Sequence, residues 1–152
     1  MHAVTIVEGR VVWREQPDPV PGTGELLVRV RAAGVCRGDL MQAEGLYPPP
    51  PGTTPPDLPG LELAGEVVAT GPGCRRFATG DRVMAVVTGA GQAELAVVSE
   101  IVAVPVPDGI DGGRRVGWFR RDRDGDAAAA EPDHASPIAI DLGLQKEFEV
   151  EM

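Results

Sequence analysis

The chain has 152 residues, 43% hydrophobic and 24% charged, enough for one ordinary domain and a tail but not for two full domains. Its formal net charge of −9 repels phosphate backbones, so we expect no nucleic-acid partner. No run approaches the ~20 apolar residues of a membrane span, and the N-terminus lacks a signal-peptide pattern. The two cysteines, Cys36 and Cys74, predict no disulfide framework. We therefore expect a cytoplasmic protein that does not associate with membranes.

The N-terminal residues predict short strands separated by turns. Residues 3–7 and 10–14 flank Glu8 and Gly9, a pair that favours a tight hairpin. The segment 17–24 is rich in proline and glycine and cannot form a central strand, because each proline lacks a backbone N–H donor. In residues 26–33 apolar and charged side chains alternate, which is typical of a half-buried strand.

The middle of the chain combines one helix with a further strand. Residues 35–42 are the one short helical candidate, and Gly45 ends it. Residues 47–59 predict a proline-rich loop. Residues 61–70 predict a strand that Gly65 interrupts.

Three more short strands are predicted at residues 82–87, 93–98 and 101–104. Glycine-containing turns at 71–73 and 80–81 precede them. A series of short strands with turns at regular intervals is typical of a β-barrel or a β-sandwich.

The composition changes after Ile110. Residues 111–130 consist mostly of Gly, Arg, Asp and Ala, and their alternating charges predict a poorly ordered segment. Residues 136–152 are more apolar and could add one or two strands, or none. We therefore expect one domain over residues 1–110 and a weakly structured tail over 111–152.

Four sequence blocks follow one another along the predicted domain. They are residues 33–40 (AGVCRGDL), 58–67 (LPGLELAGEV), 80–83 (GDRV) and 88–94 (TGAGQAE). In order and spacing they resemble the N-terminal catalytic domain of the medium-chain dehydrogenases/reductases. Residues 39–42 (DLMQ), 45–50 (GLYPPP) and 88–94 narrow the resemblance to the zinc-independent NADPH quinone oxidoreductases, especially the tumour-suppressor-inducible subfamily. The resemblance extends from residue 1 to about 110.

This resemblance implies a mainly β fold: a GroES-like (chaperonin-10-like), partly open β-barrel with one or two short helices. In the family, a second, Rossmann domain binds NADPH, and the nicotinamide lies in a cleft against the barrel. The implied reaction is NADPH-dependent reduction of a quinone or a similar conjugated carbonyl. The implied partner is thus a small, quinone-like substrate.

The resemblance also assigns residues to the cleft. Tyr47 is the candidate catalytic residue, as a direct substrate contact, although it could equally be a loop aromatic packed on prolines. Cys36 and Gln92 are expected to line the cofactor side of the cleft. The quinone oxidoreductases usually carry Asn at the position of Cys36. A cysteine thiol is a poorer hydrogen-bond donor than an asparagine amide. Asp39 is expected to cap or brace the short helix or to pair with a neighbouring strand.

The same comparison argues against a metal. The zinc-dependent branch has a Cys at the position of Cys36 and a His immediately before the residue equivalent to Glu62. Here that His is replaced by Leu61, which offers no lone pair, whereas a catalytic zinc requires about three protein ligands. We therefore predict no metal site, and expect Glu62 to make a structural hydrogen bond.

No glycine-rich segment fits a dinucleotide site. Residues 22–24 and 89–91 lack the third spaced small residue and the strand–turn–helix context of a phosphate-binding loop, and residues 111–152 contain no Rossmann motif. The chain is therefore expected to bind NADPH weakly or not at all, and to be a catalytic-domain fragment that is inactive alone. Two alternatives stay open: a non-catalytic barrel that binds small molecules or forms a homodimer, and a half-enzyme completed by a separate nucleotide-binding chain.

Overall fold

The computed structural model describes residues 1–48 and 57–108, together with the backbone of one short strand near the C-terminus. Its elements are β1 (His2–Val7), β2 (Arg10–Glu15), β3 (Glu25–Gly34), α1 (Arg37–Ala43), β4 (Glu62–Thr70), β5 (Arg82–Val86), β6 (Leu95–Ser99), β7 (Val104–Pro105) and β8 (Ala139–Asp141).

Strands β1 and β2 form an antiparallel hairpin, as predicted. Val7 pairs with Arg10, so Glu8 and Gly9 make a two-residue turn. Both turn residues have positive φ, 51° and 78°, which is the backbone that tight hairpins of this kind require. A bridge between Ala3 and Ala93 attaches the hairpin to the rest of the domain.

The main sheet is antiparallel and has the order β6-β3-β4-β5-β7, with β8 as a further neighbour of β3. Strand β3 lies near its centre and buries Leu26, Val28 and Val30 while exposing Arg29 and Arg31, which confirms the predicted alternation.

The core is assembled from the inward-facing residues of β3, β4, β5 and β6. Among its fully buried side chains are Leu26, Val28, Leu63, Val67, Val83 and Val98. Burial alternates along β6 and the first part of β3, whereas β4 and β5 are buried over several consecutive residues. A second buried cluster accordingly contains Ala32, Ala64, Met84 and Val106.

Two predicted strands need correction. Strand β4 runs unbroken through Gly65, which pairs with Val30; a Cβ at this glycine would overlap the Arg29 carbonyl oxygen. The glycine therefore permits a close approach of two backbones and does not end the strand. The predicted strand at 101–104 is wrong at its start, because Ile101 and Val102 lie in a turn and only Val104 begins β7.

The mainly β, GroES-like fold with a partly open sheet is confirmed. Within residues 1–48 and 57–108, β6 and β7 are the ends of the strand order and do not pair, so the sheet is not closed into a barrel. The same ranges contain one helix, α1, of seven residues. No helix there is long and apolar enough to cross a bilayer. The predicted low order of residues 111–130 falls outside the described residues.

Candidate functional site

Most of the sequence-predicted site residues gather where β3 ends and β4 begins. Strand β3 stops at Gly34, α1 follows from Arg37, and the segment before β4 and the loop after β5 pack against this region. We call this region the candidate site and define it by Gly34, Cys36, Asp39, Gly60 and Gln92.

The Asp39 carboxylate joins two segments of the candidate site. Its side chain is 6% exposed. One oxygen accepts a hydrogen bond from the Cys36 backbone N–H at 2.7 Å, which caps the start of α1. The other accepts the Gly60 backbone N–H at 2.9 Å. Asp39 thus braces the helix, as predicted, and also attaches it to the segment that enters β4.

Gln92 is buried, with 5% of its surface exposed. Its Nε2 donates a hydrogen bond to the Gly34 carbonyl oxygen at 3.0 Å. Its backbone carbonyl accepts the Val4 N–H at 2.9 Å, so the same residue also holds β1. The side chain therefore has a defined structural partner two residues before Cys36, and its role towards a cofactor stays a prediction.

Two glycines bring the segment before β4 and the loop after β5 into direct backbone contact. The Gly91 N–H donates to the Gly60 carbonyl at 3.0 Å, and a Cβ at Gly60 would overlap the Gln92 backbone nitrogen. Gly60 has a φ of 105°, and the neighbouring Ala90 is one of two non-glycine residues of the described ranges with positive φ, at 60°. Sequence reasoning identified the 89–91 segment as a turn and missed this contact, for which the paired glycines are the only local signal.

The side chains of Cys36 and Leu61 both lie next to Gly38 of α1. A Cβ placed on Gly38 would lie 3.1 Å from Leu61 Cδ1 and 3.4 Å from Cys36 Sγ, so both side chains approach the same spot. Glu62 follows Leu61, is 3% exposed, and its carboxylate packs directly against Gly34.

This donor set does not fit a catalytic zinc. The Cys36 thiol and the Glu62 carboxylate provide two candidate ligands. Leu61, which directly precedes Glu62, has no atom that can bind a metal. Across residues 1–48 and 57–108, no group of three or more His, Cys, Asp or Glu side chains is arranged to hold a metal ion.

Tyr47 lies on the segment that leaves α1. Its backbone N–H donates to the Met41 carbonyl at 3.2 Å, and 36% of the residue is exposed. Within the described residues no hydrogen bond links it to Cys36 or Gln92. The prolines at 49–51 lie outside the described residues, so the choice between a substrate contact and a residue packed on prolines stays a prediction.

A separate groove of about 440 Å³ lies at the other end of β5, lined by Arg76, Phe77, Asp81, Arg82, Pro105, Val106 and Asp108. Its arginines already have partners: Arg76 donates to the backbone carbonyl of Ile101 at 3.1 Å, and Arg82 to Asp108 at 3.1 Å. Opposite charges thus balance within the groove, which shares no residue with the candidate site.

The family model described as the alcohol dehydrogenase GroES-like domain matches residues 22–108, which include the whole candidate site. The chain belongs to this family. It is accordingly a GroES-like domain of the medium-chain dehydrogenase/reductase superfamily, as the four sequence blocks indicated.

Known relatives of this GroES-like domain include oxidoreductases. An alcohol dehydrogenase from a Moraxella species is 45% identical over 85 residues, covering 55% of this chain and 25% of that enzyme. A quinone oxidoreductase from Pseudomonas syringae has a similar structure, with a TM-score of 0.65 and 28% identity, covering 76% of this chain and 36% of that one.

A mycobacterial protein solved in complex with NADPH is also similar, with a TM-score of 0.68 and 26% identity over 88% of this chain and 44% of that one. The chain therefore spans less than half the length of each of these three proteins. The likeness covers their GroES-like part, so that an activity of the whole protein has to be proposed separately.

Proposed function

We propose that residues 1–108 form the substrate-binding half of an NAD(P)H-dependent oxidoreductase of the zinc-independent, quinone-reducing branch. The observation that carries this proposal is the place of Leu61, which like Cys36 lies next to Gly38 and occupies the position where a metal site would need a third ligand. A quinone or a conjugated carbonyl is electrophilic enough to accept a hydride without a Lewis-acid metal. The structural likeness to a quinone oxidoreductase supports the same branch.

In this proposal the candidate site holds the substrate and excludes water. The nicotinamide supplies the hydride, and the protein contributes position and surroundings. Asp39 and Gln92 fix the backbone on either side of Cys36 through buried hydrogen bonds. Cys36 and Leu61 provide an apolar wall, and the phenol of Tyr47 is available to donate a hydrogen bond to a substrate oxygen as negative charge develops there.

The described residues do not fit the nucleotide itself. A bound pyrophosphate needs backbone N–H groups at a glycine-rich turn that leads from a strand into a helix. In residues 1–48 and 57–108 the one helix is α1, which has seven residues and is capped by Asp39. We therefore infer that the nucleotide is held by a separate domain or chain that docks beside the candidate site.

A chimera tests this function. Residues 1–108 replace the corresponding domain of the Pseudomonas syringae quinone oxidoreductase, and the purified chimera is assayed for NADPH oxidation with a quinone and, with added zinc, for alcohol oxidation. We expect quinone reduction that a zinc chelator leaves unchanged. NADPH binding by the chimera checks that its nucleotide-binding domain is folded, and one cooperative thermal transition checks that the grafted residues are folded with it. A chimera that binds NADPH but oxidises alcohols only with zinc would refute the proposal.

The same chimera tests Tyr47. Tyr47→Phe keeps the ring and removes the hydroxyl, so we expect kcat to fall about three- to tenfold, the loss of one hydrogen bond to a developing charge, with little change in the unfolding midpoint. Tyr47→Leu is the companion variant that also removes the ring. If Tyr47→Phe leaves both kcat and KM unaltered, Tyr47 is a packing residue and not a substrate contact.

A further inference from the structure

The outer strand of the hairpin, β2, is exposed on both of its faces. All of its residues are exposed, among them the large apolar side chains of Val11, Val12 and Trp13. Among the strands of the described residues, only β1 pairs with β2. An exposed apolar edge strand offers its backbone groups to a further strand, and natural proteins usually cover such an edge. Strand β2 is therefore a surface on which a partner strand can bind.

The hairpin geometry determines which backbone groups of β2 point outwards. In an antiparallel pair, consecutive residues direct their N–H and C=O groups to opposite sides. The N–H of Gln16, the residue after β2, donates to the Met1 carbonyl at 2.8 Å, so the even-numbered residues of β2 face β1. The odd-numbered residues then face away from β1: Val11, Trp13 and Glu15. Each of them offers one donor and one acceptor to a partner strand.

We propose that β2 pairs antiparallel with β2 of a second copy of the chain, with Trp13 on the two-fold axis. In this register Trp13 lies opposite Trp13, and Val11 lies opposite Glu15 at both ends. All outward-facing residues of the two strands then exchange backbone hydrogen bonds. The same surface is used by both copies, which gives a closed dimer. This inference goes beyond the proposed function and does not depend on it.

The charges of β2 favour this register over its neighbours. A shift by one residue is excluded, because it would place outward-facing backbone groups opposite inward-facing ones. A shift by two residues sets Arg10 opposite Arg14 in one direction and Arg14 opposite Arg14 in the other. Like charges directly opposite each other destabilise a strand pair, and either shift also loses a hydrogen-bonded residue pair. With Trp13 on the axis, Arg14 lies opposite Val12 and no like charges are directly opposed.

Trp13 is suited to the axis of such a dimer. Its indole stacks on the His2 ring with the ring centroids 5.9 Å apart, so its orientation is restricted before a partner binds. This restriction lowers the entropic cost of pairing, and two indoles opposite each other add an aromatic contact. A standard interface uses ~20–30 residues a side, so a pairing through one short strand predicts a weak dimer with a dissociation constant of about 10–100 µM.

Sedimentation equilibrium and amide hydrogen exchange on the full chain test the dimer. Between about 1 and about 300 µM we expect a reversible change from monomer to dimer. At the high concentration the amides of Val11, Trp13 and Glu15 should exchange about three- to tenfold more slowly, since only the remaining monomer exposes them. The amides of Val12 and Arg14, which already bind β1, should change little. A chain that stays monomeric, or a dimer in which the three outward amides are unchanged, overturns the proposal.

Two complementary variants test the register. Trp13→Lys and Trp13→Glu each place like charges opposite each other on the axis, so each alone should stay monomeric at about 300 µM. An equal mixture places the introduced lysine opposite the introduced glutamate, and we expect it to form heterodimers. A mixture of folded variants that stays monomeric, or a folded Trp13→Lys variant that still dimerises, contradicts the pairing across Trp13.

A matched control separates this edge from exposed apolar residues in general. Val102 lies in the turn after β6 and is 46% exposed, as is Trp13. Val102→Lys should therefore dimerise like the unmodified protein, and a monomeric Val102→Lys variant would place the interface elsewhere. One cooperative thermal transition checks that each variant is folded. Should the Trp13 variants fail to fold, the exchange pattern of the unmodified protein decides.

Discussion

At the scale of single residues, Asp39 contributes most of the local order at the candidate site. Its two carboxylate oxygens accept N–H groups from Cys36 and Gly60, which belong to different segments of the chain. Replacing this buried residue by alanine leaves both donors without their acceptor, and each such loss costs about 1–3 kcal/mol.

We therefore expect Asp39→Ala to lower the free energy of unfolding by about 2–4 kcal/mol, measured by urea denaturation. Asp108→Ala is the matched control. Asp108 is fully exposed and pairs with Arg82 at 3.1 Å, so its removal should cost at most about 1 kcal/mol. Equal losses for the two variants would show that the Asp39 contacts contribute little.

Alanine substitutions at two glycines with positive φ measure the cost of backbone strain with and without an added steric overlap. Gly45 has a φ of 73° and nothing within 4 Å of a would-be Cβ. Gly60 has a φ of 105°, and its Cβ would overlap the Gln92 nitrogen. Gly45→Ala should cost about 1–2 kcal/mol, the price of a left-handed alanine. Gly60→Ala should cost at least about 3 kcal/mol or prevent folding, because the close contact of the two loops must open as well. Thermal denaturation of both variants measures the difference, and similar losses would contradict the close contact.

At the scale of secondary structure, local sequence predicted what depends on local geometry. The β1–β2 hairpin follows from Glu8 and Gly9, and β3 follows from its alternation, since both need only neighbouring residues. The segment 101–104 is apolar enough for a strand, yet Arg76 binds the carbonyl of Ile101 from another part of the chain and fixes a turn there. Contacts between distant segments of this kind leave no periodic pattern in the sequence.

The candidate site was also only partly predictable from the local sequence. Residues 33–40 and 58–67 indicated where it lies, and capping or bracing the short helix was one of the two structural roles expected for Asp39. The contact of Gly60 with Gly91 and the hydrogen bond from Gln92 to Gly34 join residues 31 and 58 positions apart, respectively. Which carbonyl a buried amide reaches over such a separation depends on the packed fold, and the sequence alone does not specify it.

The turn after β6 should respond to pH through Glu100. Its carboxylate accepts the backbone N–H groups of Arg75 and Arg76, each at 3.0 Å, and these hydrogen bonds hold the pKa of Glu100 below its ordinary value of 4.5. A carboxyl whose pKa is lowered by folding stabilises the fold above its unfolded pKa, and this contribution is lost as the pH falls through the lowered value.

We therefore expect Glu100→Gln to be less stable than the unmodified protein at neutral pH, and the difference to close as the pH falls below about 4.5. Urea midpoints of both proteins across the acid range measure this difference. Glu44→Gln, at the exposed end of α1, is the matched control for the loss of one surface carboxylate. A gap for Glu100→Gln that widens towards acid pH would contradict the assignment.

At the scale of the whole molecule, the affinity of the chain for NADPH decides whether a second domain or chain is needed to hold the nucleotide. A dinucleotide is bound chiefly through its pyrophosphate, and the described residues offer no helix N-terminus at a glycine-rich turn for it. In the proposed arrangement, the candidate site contacts only the nicotinamide end of the cofactor. Contacts with one ring, without the phosphates, give too little free energy to offset the cost of ordering a flexible ligand.

Calorimetric titration of the 152-residue chain with NADPH should therefore show no saturation up to about 1 mM, a free energy of binding weaker than about −4 kcal/mol. The chimera described above, which carries a nucleotide-binding domain, should bind NADPH in the micromolar range and is the positive control. If the isolated chain itself binds in that range, a phosphate site exists outside the described residues and no second domain or chain is needed. If a separately expressed nucleotide-binding domain binds NADPH more tightly when mixed with the chain than it does alone, the two halves associate as the proposal requires.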